Sequence, residues 1–436
     1  MDKNTPVTIF WFRRDLRITD NAGLYHALKS GNPVLPLFIF DKEILGELED
    51  EDDARVTFIY NKIEDLKSAL NTHHSDLEVV YDTPEYAFTK LIKDHKIAAV
   101  YTNHDYEPYA AARDGAVKQL LAKHNIEFKT FKDQVIFERA EVVKDDGKPY
   151  TVFTPYKNKW HQKLKPFYLK AYPNEQYLKN LYLFKATALP SLTTMGFTKS
   201  DAKFPETGYE KFIADYAEKR DFPAIKGTSH IGLHLRFGTV SIRQCATDAH
   251  KAHEKTWLNE LIWREFYMMV LHHFPKTMDN AFKPDYDNIK WINNEQQFKA
   301  WCDGETGYPL VDAGMRELNT TGYMHNRVRM VVACFLSKDL LIDWRWGERY
   351  FARKLLDYEM ASNVGGWQWA AGSGTDAAPY FRIFNPESQL KKFDPKLEYV
   401  KKWVPEYADL SKYPKPIVDH AFARDRCLKA FKTALS

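Results

Sequence analysis

Between Asp357 and Arg382 the chain reads DYEMASNVGGWQWAAGSGTDAAPYFR, setting acids, an isolated amide, paired glycines and two tryptophans in one short run. Core packing alone does not select that mixture, so the run reads as a site. Glu359 and Asn363 stand four apart and share a face if helical, and Gly365-Gly366 would let backbone or ligand approach closely. In WLNELIWREFYMMVLHHF an apolar stripe recurs at three- and four-residue steps (Leu258, Leu261, Ile262, Phe266, Met269), while Glu260, Trp263, Arg264 and Tyr267 share another face. A tryptophan flanked on its own face by a carboxylate and an arginine is read as lining something. In GYMHNRVRMVV, Asn326, Arg329 and Met330 likewise share a face, where Arg329 offers a bidentate donor beside an amide and a soft apolar contact. Thr228-Ser229-His230-Ile231-Gly232, after a Lys-Gly step, presents hydroxyls and backbone amides suited to a phosphate, although the same pattern fits an ordinary helix cap.

The elements that hold these segments follow from periodicity. VTIFWF (7–12), PVLPLFIF (33–40), LEVVY (77–81) and AAVYTN (98–103) read as strands, and residues 21–30, 54–70, 84–96 and 110–124 carry helical spacing. Alternation of the two predicts an α/β domain with a parallel, Rossmann-like sheet over residues 1–131. Its first crossover carries Phe12-Arg13-Arg14-Asp15-Leu16-Arg17 in place of GxGxxG, which argues against a dinucleotide held in the Rossmann manner. Residues 132–204 have weak periodicity and read as a connector. From 205 to 436 helical patterns follow one another, predicting an all-α second domain that contains every segment singled out above.

Composition narrows the function class. At 436 residues the chain exceeds the usual size of one core, so two domains are expected. Lys+Arg 62 against Asp+Glu 59 leaves +3, which excludes a purely electrostatic nucleic-acid binder but allows a local basic groove. Cys245, Cys302, Cys334 and Cys427 form no CxxC pair, so no metal site and no disulfide framework is expected. The N-terminus lacks the succession of a signal peptide, and no apolar run approaches the roughly 20 residues needed to span a bilayer. A soluble, cytoplasmic protein without a membrane partner is expected. Aromatic residues reach 15%, which supplies either stacking surfaces or an aromatic-rich helical core.

Taken in order, RDFPAIKGTSHIGLHLRFGTVS, WLNELIWREFY, TGYPLVDAGMRELNTTGYMHNRVRM, LLIDWRWGERYF and NVGGWQWAAGSGTDAAPYFRIFNP resemble the DNA photolyase/cryptochrome family, specifically its class I cyclobutane pyrimidine dimer photolyases. WFRRDLR matches the N-terminal signature and YPKPIVDH a segment near the end, so the resemblance covers nearly the whole chain. It implies one FAD, held as FADH⁻ in the helical domain. The matching positions are Tyr216, Thr228, Ser229, His230, Ile231, Gly232, Trp257, Arg264, Asn326, Arg329, Asp357, Tyr358, Glu359 and Asn363, with Asn363 facing flavin N5. It implies blue-light-driven repair of cyclobutane pyrimidine dimers in ultraviolet-damaged DNA: an electron passes to a flipped dimer, its cyclobutane bonds split, and the electron returns. Trp263 and Trp369 match the walls of the lesion pocket, with Tyr267, Asn326 and Met330 beside them and Glu260 as the carboxyl on the pyrimidine edge. Arg220, Arg327, Arg382, Gln389 and Lys392 match contacts on the DNA side. Trp367, Trp344 and Trp291 match an electron-hopping chain from flavin to surface.

The chain departs from this pattern at several places. His230 stands where relatives often have Arg or Lys, Gly232 where they have Ser, Glu359 where Asp is usual, and Tyr323 where close relatives have Trp. Tyr109 and Ala110 replace the Asn-Glu pair of folate-binding members, so methenyltetrahydrofolate, 8-hydroxydeazaflavin, FMN and an empty antenna site all stay open. The cysteine spacing does not match iron-sulfur members. The rival readings are a cryptochrome, which usually carries a C-terminal extension and a different residue opposite N5, and a (6-4) photolyase, whose paired His is His325-Asn326 here. A light-independent FAD oxidoreductase is more distant, since no NAD(P)H-binding set appears. A monomer is expected.

Overall fold

The computed structural model describes residues 5–186, 188–409 and 411–436. VTIFWF and VLPLFIFD are apolar on both faces, as strands covered on both sides must be, and they form β1 (Val7–Phe12) and β2 (Val34–Asp41), buried throughout. With β3 (Glu78–Asp82), β4 (Ile97–Asn103) and β5 (Glu127–Phe131) they make a parallel sheet in the order β3-β2-β1-β4-β5. The fifth strand, EFKTF, lay outside the sequence expectation: it sits at the sheet edge, part-exposed, and lacks an apolar run. Helices Ala22–Leu28, Ala54–Asn71, Pro84–Asp94 and Pro108–Lys123 connect the strands. Strand order reverses between β1 and β4, where open α/β sheets offer a ligand crevice. There Arg13 donates to Asp114 and to the Asn103 carbonyl, and the guanidiniums of Arg13 and Arg113 lie 4.9 and 5.1 Å from the Trp11 ring. The segment after β1 is thus spent on internal pairs. Asp105 beside it is buried, which alone would raise its pKa, but the guanidiniums of Arg14, Arg13, Arg113 and Arg236 outweigh burial and hold it below the ordinary range.

The chain forms two compact units. The first comprises residues up to Glu138, Leu164–Thr207 and Ile231–Lys251; the second comprises Arg139–Lys163, Gly208–His230 and Ala252–Ser436. Residues 132–204, expected as a connector, are therefore divided, and 139–163 supply the Phe153–Lys163 helix to the second unit. Residues 231–251 lie with the sheet although their helical pattern groups them with the later chain. A buried ion network accounts for this: Arg17 reaches Asp133 at 2.6 Å, and Arg243 reaches Asp133 and Asp20 at 2.8 Å each.

The second unit is helical. Met360–Ala371 packs against Thr256–His273, Asn326–Cys334 and Trp344–Lys354, which carry most of the residues singled out above. Two glycines permit this approach. A Cβ on Gly347 would lie 2.1 Å from the Trp367 ring, and one on Gly365 would lie 2.2 Å from the Tyr267 ring. Trp301, Leu310, Met315, Val328, Val332, Leu336, Phe351 and Val364 fill the core around them. Among the described residues no helix is long and apolar enough to cross a membrane, and no group of three His, Cys, Asp or Glu could hold a metal. All four cysteines are buried and none is in a disulfide.

Candidate functional site

The three faces read from the sequence converge on one cavity of about 400 Å³ in the helical unit, within the usual size of ligand pockets. Arg220, Glu260, Trp263, Arg264, Tyr267, Asn326, Arg329, Met330, Asp357, Tyr358, Glu359, Asn363, Trp367 and Trp369 all line it. Ala333, Phe351, Leu355, Ser362 and Gly366 complete the wall. The two adjacent glycines divide the labour: Gly365 takes the Tyr267 ring, whereas a Cβ on Gly366 would meet no protein atom within 4 Å. Gly366 is the position that leaves room for a ligand.

The acidic half of the opening run is held by arginines from two other helices. Arg329 Nη2 lies 3.1 and 2.9 Å from the two Asp357 oxygens while its Nε donates to the Met324 carbonyl at 2.7 Å. Arg264 Nε lies 2.9 Å from Glu359 Oε2, and its Nη2 is 3.4 Å from Oε1. Glu359 is the N-cap residue of Met360–Ala371 but makes no side-chain cap; its longer side chain turns to Arg264 instead. Asn363, one turn on, donates from Nδ2 to the Glu348 carbonyl at 3.1 Å and to Glu348 Oε1 at 3.0 Å. That leaves the Asn363 carbonyl as the group available to the cavity, an acceptor suited to an N–H such as that of a reduced flavin. Burial raises the pKa of Glu348, and the Asn363 amide opposes it.

The other side is aromatic. Trp263 stacks on Phe153 at 3.6 Å and 7° and on Tyr267 at 5.5 Å and 29°, so its exposed face is a rigid plate. Trp369 packs against Phe384 at 6.4 Å. Glu260, also in the cavity lining, pairs with Arg220. Burial raises the Glu260 pKa and Arg220 pulls it down, with burial prevailing.

The remaining expected residues lie outside the cavity lining. The Arg220 guanidinium lies 5.5 Å over the Tyr216 ring. Thr228 Oγ1 is 3.3 Å from the Tyr323 hydroxyl, and His230, in the left-handed region at φ 53°, stacks on the Tyr323 ring at 3.7 Å. Burial lowers the His230 pKa. Ser229 is half-buried beside them, whereas Ile231 and Gly232 cluster with the first unit, where Gly232 opens the short helix Gly232–Phe237. Trp257 is buried and stacks on Tyr209 at 5.2 Å. Arg327 pairs with Asp221 at 2.6 Å and lies 4.5 Å over the Phe393 ring. Arg382 and Lys392 are exposed and Gln389 half-buried, on or just before the Pro386–Phe393 helix.

Of the three further tryptophans, only Trp367 lines the cavity. Its ring neighbours are Phe351 at 5.0 Å and Trp301 at 6.0 Å. Trp344 is buried at the start of its helix and Trp291 is half-buried against Phe431 at 6.0 Å. Hydrogen bonds from Ile292 N to the Leu341 carbonyl and from Asp343 N to Asn293 Oδ1, each 2.8 Å, bring their chain segments side by side.

Sequence reasoning missed Glu348, Phe153 and the Tyr323–His230 stack. Glu348 reads as an ordinary helix charge, and its place four residues after Trp344 was the one available signal. Phe153 lies in the supposed connector, 110 positions from the ring it backs, and no local pattern marks it.

Two family profiles match the chain. Residues 8–176 match the family profile described as DNA photolyase, and residues 257–412 match the one described as FAD binding domain of DNA photolyase. A deoxyribodipyrimidine photo-lyase of Synechococcus is 37% identical over 94% of this chain and 93% of that protein. The structure of a bacterial class III photolyase from Agrobacterium tumefaciens superposes with a TM-score of 0.89 at 34% identity, covering 100% of this chain and 98% of that one. A cryptochrome from Synechocystis superposes at 0.86 with 25% identity, covering 99% and 100%.

Proposed function

This chain belongs to the DNA photolyase family, and from that premise we infer that it is a deoxyribodipyrimidine photo-lyase, repairing cyclobutane pyrimidine dimers in ultraviolet-damaged DNA with blue light and an FAD held in the helical unit. The observation that carries the reading is the composition of one cavity: two arginine–carboxylate pairs and the Asn363 carbonyl at one side, a stacked tryptophan plate and a carboxyl of raised pKa at the other.

Bound in its reduced form, FAD supplies the light-driven electron that opens the cyclobutane ring and takes that electron back, with no net redox change. The protein holds, orients and polarises. Asp357 and Glu359, fixed by Arg329 and Arg264, offer acceptors at defined positions for the flavin's polar edge. Asn363, braced by Glu348, would offer its carbonyl as an acceptor to the N–H of a reduced flavin. Gly366, where a Cβ would meet no protein atom within 4 Å, would leave clearance for the ring system. Trp263, backed by Phe153, and Trp369 form the walls for an extrahelical dimer, and Met330 adds an apolar contact. Glu260, whose pKa burial raises, is the carboxyl proposed to hydrogen-bond the pyrimidine edge and to steady charge arriving there. Arg220, Arg327, Arg382, Gln389 and Lys392 are proposed to face the DNA backbone, a local grip that needs no large net charge. Trp367, Trp344 and Trp291 are proposed to carry electrons inward when oxidised FAD is restored under light. We propose a cytoplasmic monomer, a setting in keeping with four buried cysteines that form no disulfide.

The test is direct. Purified protein should carry a flavin absorption spectrum and clear thymine dimers from irradiated oligonucleotides under blue light only. Repair in the dark, or no repair by flavin-loaded protein, refutes the reading.

A further inference from the structure

Lys338 is a charged side chain with no part in the mechanism above, and it is fully buried. Lysine is rarely sequestered unless its ammonium is committed to a task, because desolvating the charge is costly. It lies in Phe335–Asp339, a π-helical segment continuing directly from Asn326–Cys334, the helix that carries Asn326, Arg329 and Met330 into the cavity. Single π turns of this kind are costly distortions found often at functional sites.

The ammonium donates to the Arg382 carbonyl at 2.9 Å. One turn earlier, Cys334 Sγ accepts from the Phe384 backbone N–H at 3.4 Å. The two anchors therefore grip the same short stretch at alternate residues. That stretch links Trp369 to the DNA-side helix: the Phe384 ring packs on Trp369 at 6.4 Å, the exposed Arg382 guanidinium lies 5.7 Å over the Phe384 ring, and Asn385 caps Pro386–Phe393 by accepting from Ser388 N at 2.8 Å. The π segment is itself fixed from behind, with His420 Nδ1 and Arg426 Nη2 each 2.5 Å from an Asp339 oxygen.

We propose that Lys338 is a positioning residue for lesion recognition, holding the 382–384 segment so that Arg382 meets a DNA phosphate while Phe384 backs the Trp369 wall. Lys338 cannot touch DNA from its buried place; it acts through the backbone of Arg382. The inference rests on the photolyase reading, since it needs Arg382 and Trp369 to face damaged DNA.

Lys338→Met keeps the packed stem and removes the donor. Binding of flavin-loaded protein to ultraviolet-irradiated duplex is measured across a salt series. The slope of log affinity against log salt should fall by about one, the signature of one lost phosphate contact. Affinity should weaken several-fold, with dimer splitting per bound lesion holding at saturating enzyme. Lys338→Arg should recover part of the slope, and the double variant with Arg382→Ala should show the slope of Arg382→Ala alone. Cys334→Ala removes the second anchor without disturbing the buried charge, should lower the slope in the same direction, and decides the matter if Lys338→Met yields no flavin-loaded protein. An unchanged slope in the variants that fold, even with a lowered melting temperature, overturns the positioning role. If the unaltered protein fails to prefer irradiated over intact DNA, the photolyase reading fails instead.

Discussion

Glu260 sits between two opposed influences. Burial favours its neutral form and the Arg220 guanidinium favours the anion; burial prevails, so the carboxyl keeps its proton to higher pH than an exposed glutamic acid does. The sign of the functional effect follows. The protonated carboxyl can donate to a pyrimidine carbonyl, and that donor is lost as pH rises through the raised pKa. Repair yield per absorbed photon should therefore decline with rising pH in the native enzyme. Glu260→Gln, which keeps an N–H donor at every pH, should flatten the profile, whereas Glu260→Ala should lower both yield and lesion affinity throughout; parallel pH profiles for native and Gln enzymes would remove proton donation from the role of this residue. Glu260 was legible because Trp263 and Arg264 share its helix. Glu348 was not, since only the folded chain shows that the Asn363 amide is braced against it.

At the scale of elements, the Asn326–Cys334 helix depends on its first turn. His325, the N-cap residue, is buried, and its Nδ1 accepts from Arg327 N at 3.2 Å. Burial, with the neighbouring His230 and Arg329, lowers its pKa to about 4, so the ring stays neutral and can cap. In the unfolded chain the same ring titrates near its ordinary 6.5. Above that pH the two states bind protons alike. As pH falls from 6.5 towards 4 the unfolded chain takes up a proton that the fold refuses, and stability drops by up to about 3 kcal/mol. His325→Asn, a neutral cap, should lose less stability over this range in denaturant titrations, and equal losses would assign the acid sensitivity elsewhere. Helix faces and most strand positions were visible in the sequence because side-chain period follows from backbone geometry. The edge strand β5 was not, because its pairing with β4 rather than its own composition makes it a strand.

At the scale of the whole molecule, the proposed function includes a route that moves electrons inward from solvent. Trp367 borders the cavity, and Trp344 and Trp291 lie on segments joined by hydrogen bonds, the latter half-exposed. Trp367→Phe should block light-driven reduction of oxidised flavin, while enzyme reduced chemically beforehand still repairs; transient absorption after blue excitation reads the difference, and undiminished reduction would exclude this route. The chain forms two units of discontinuous sequence, and the split runs through residues that read as a connector. By itself the sequence determined the family, four of the five strands, the succession of helices and the types of residue brought to the site, because periodicity and motif spacing are local properties of the chain. The tertiary structure alone decided the partners: Arg264 with Glu359 across 95 positions, Phe153 behind Trp263, Glu348 behind Asn363, and residues 231–251 with the sheet. Those pairings join residues far apart in sequence. Close packing and the need to satisfy buried charge select them, and neither acts until the chain has folded.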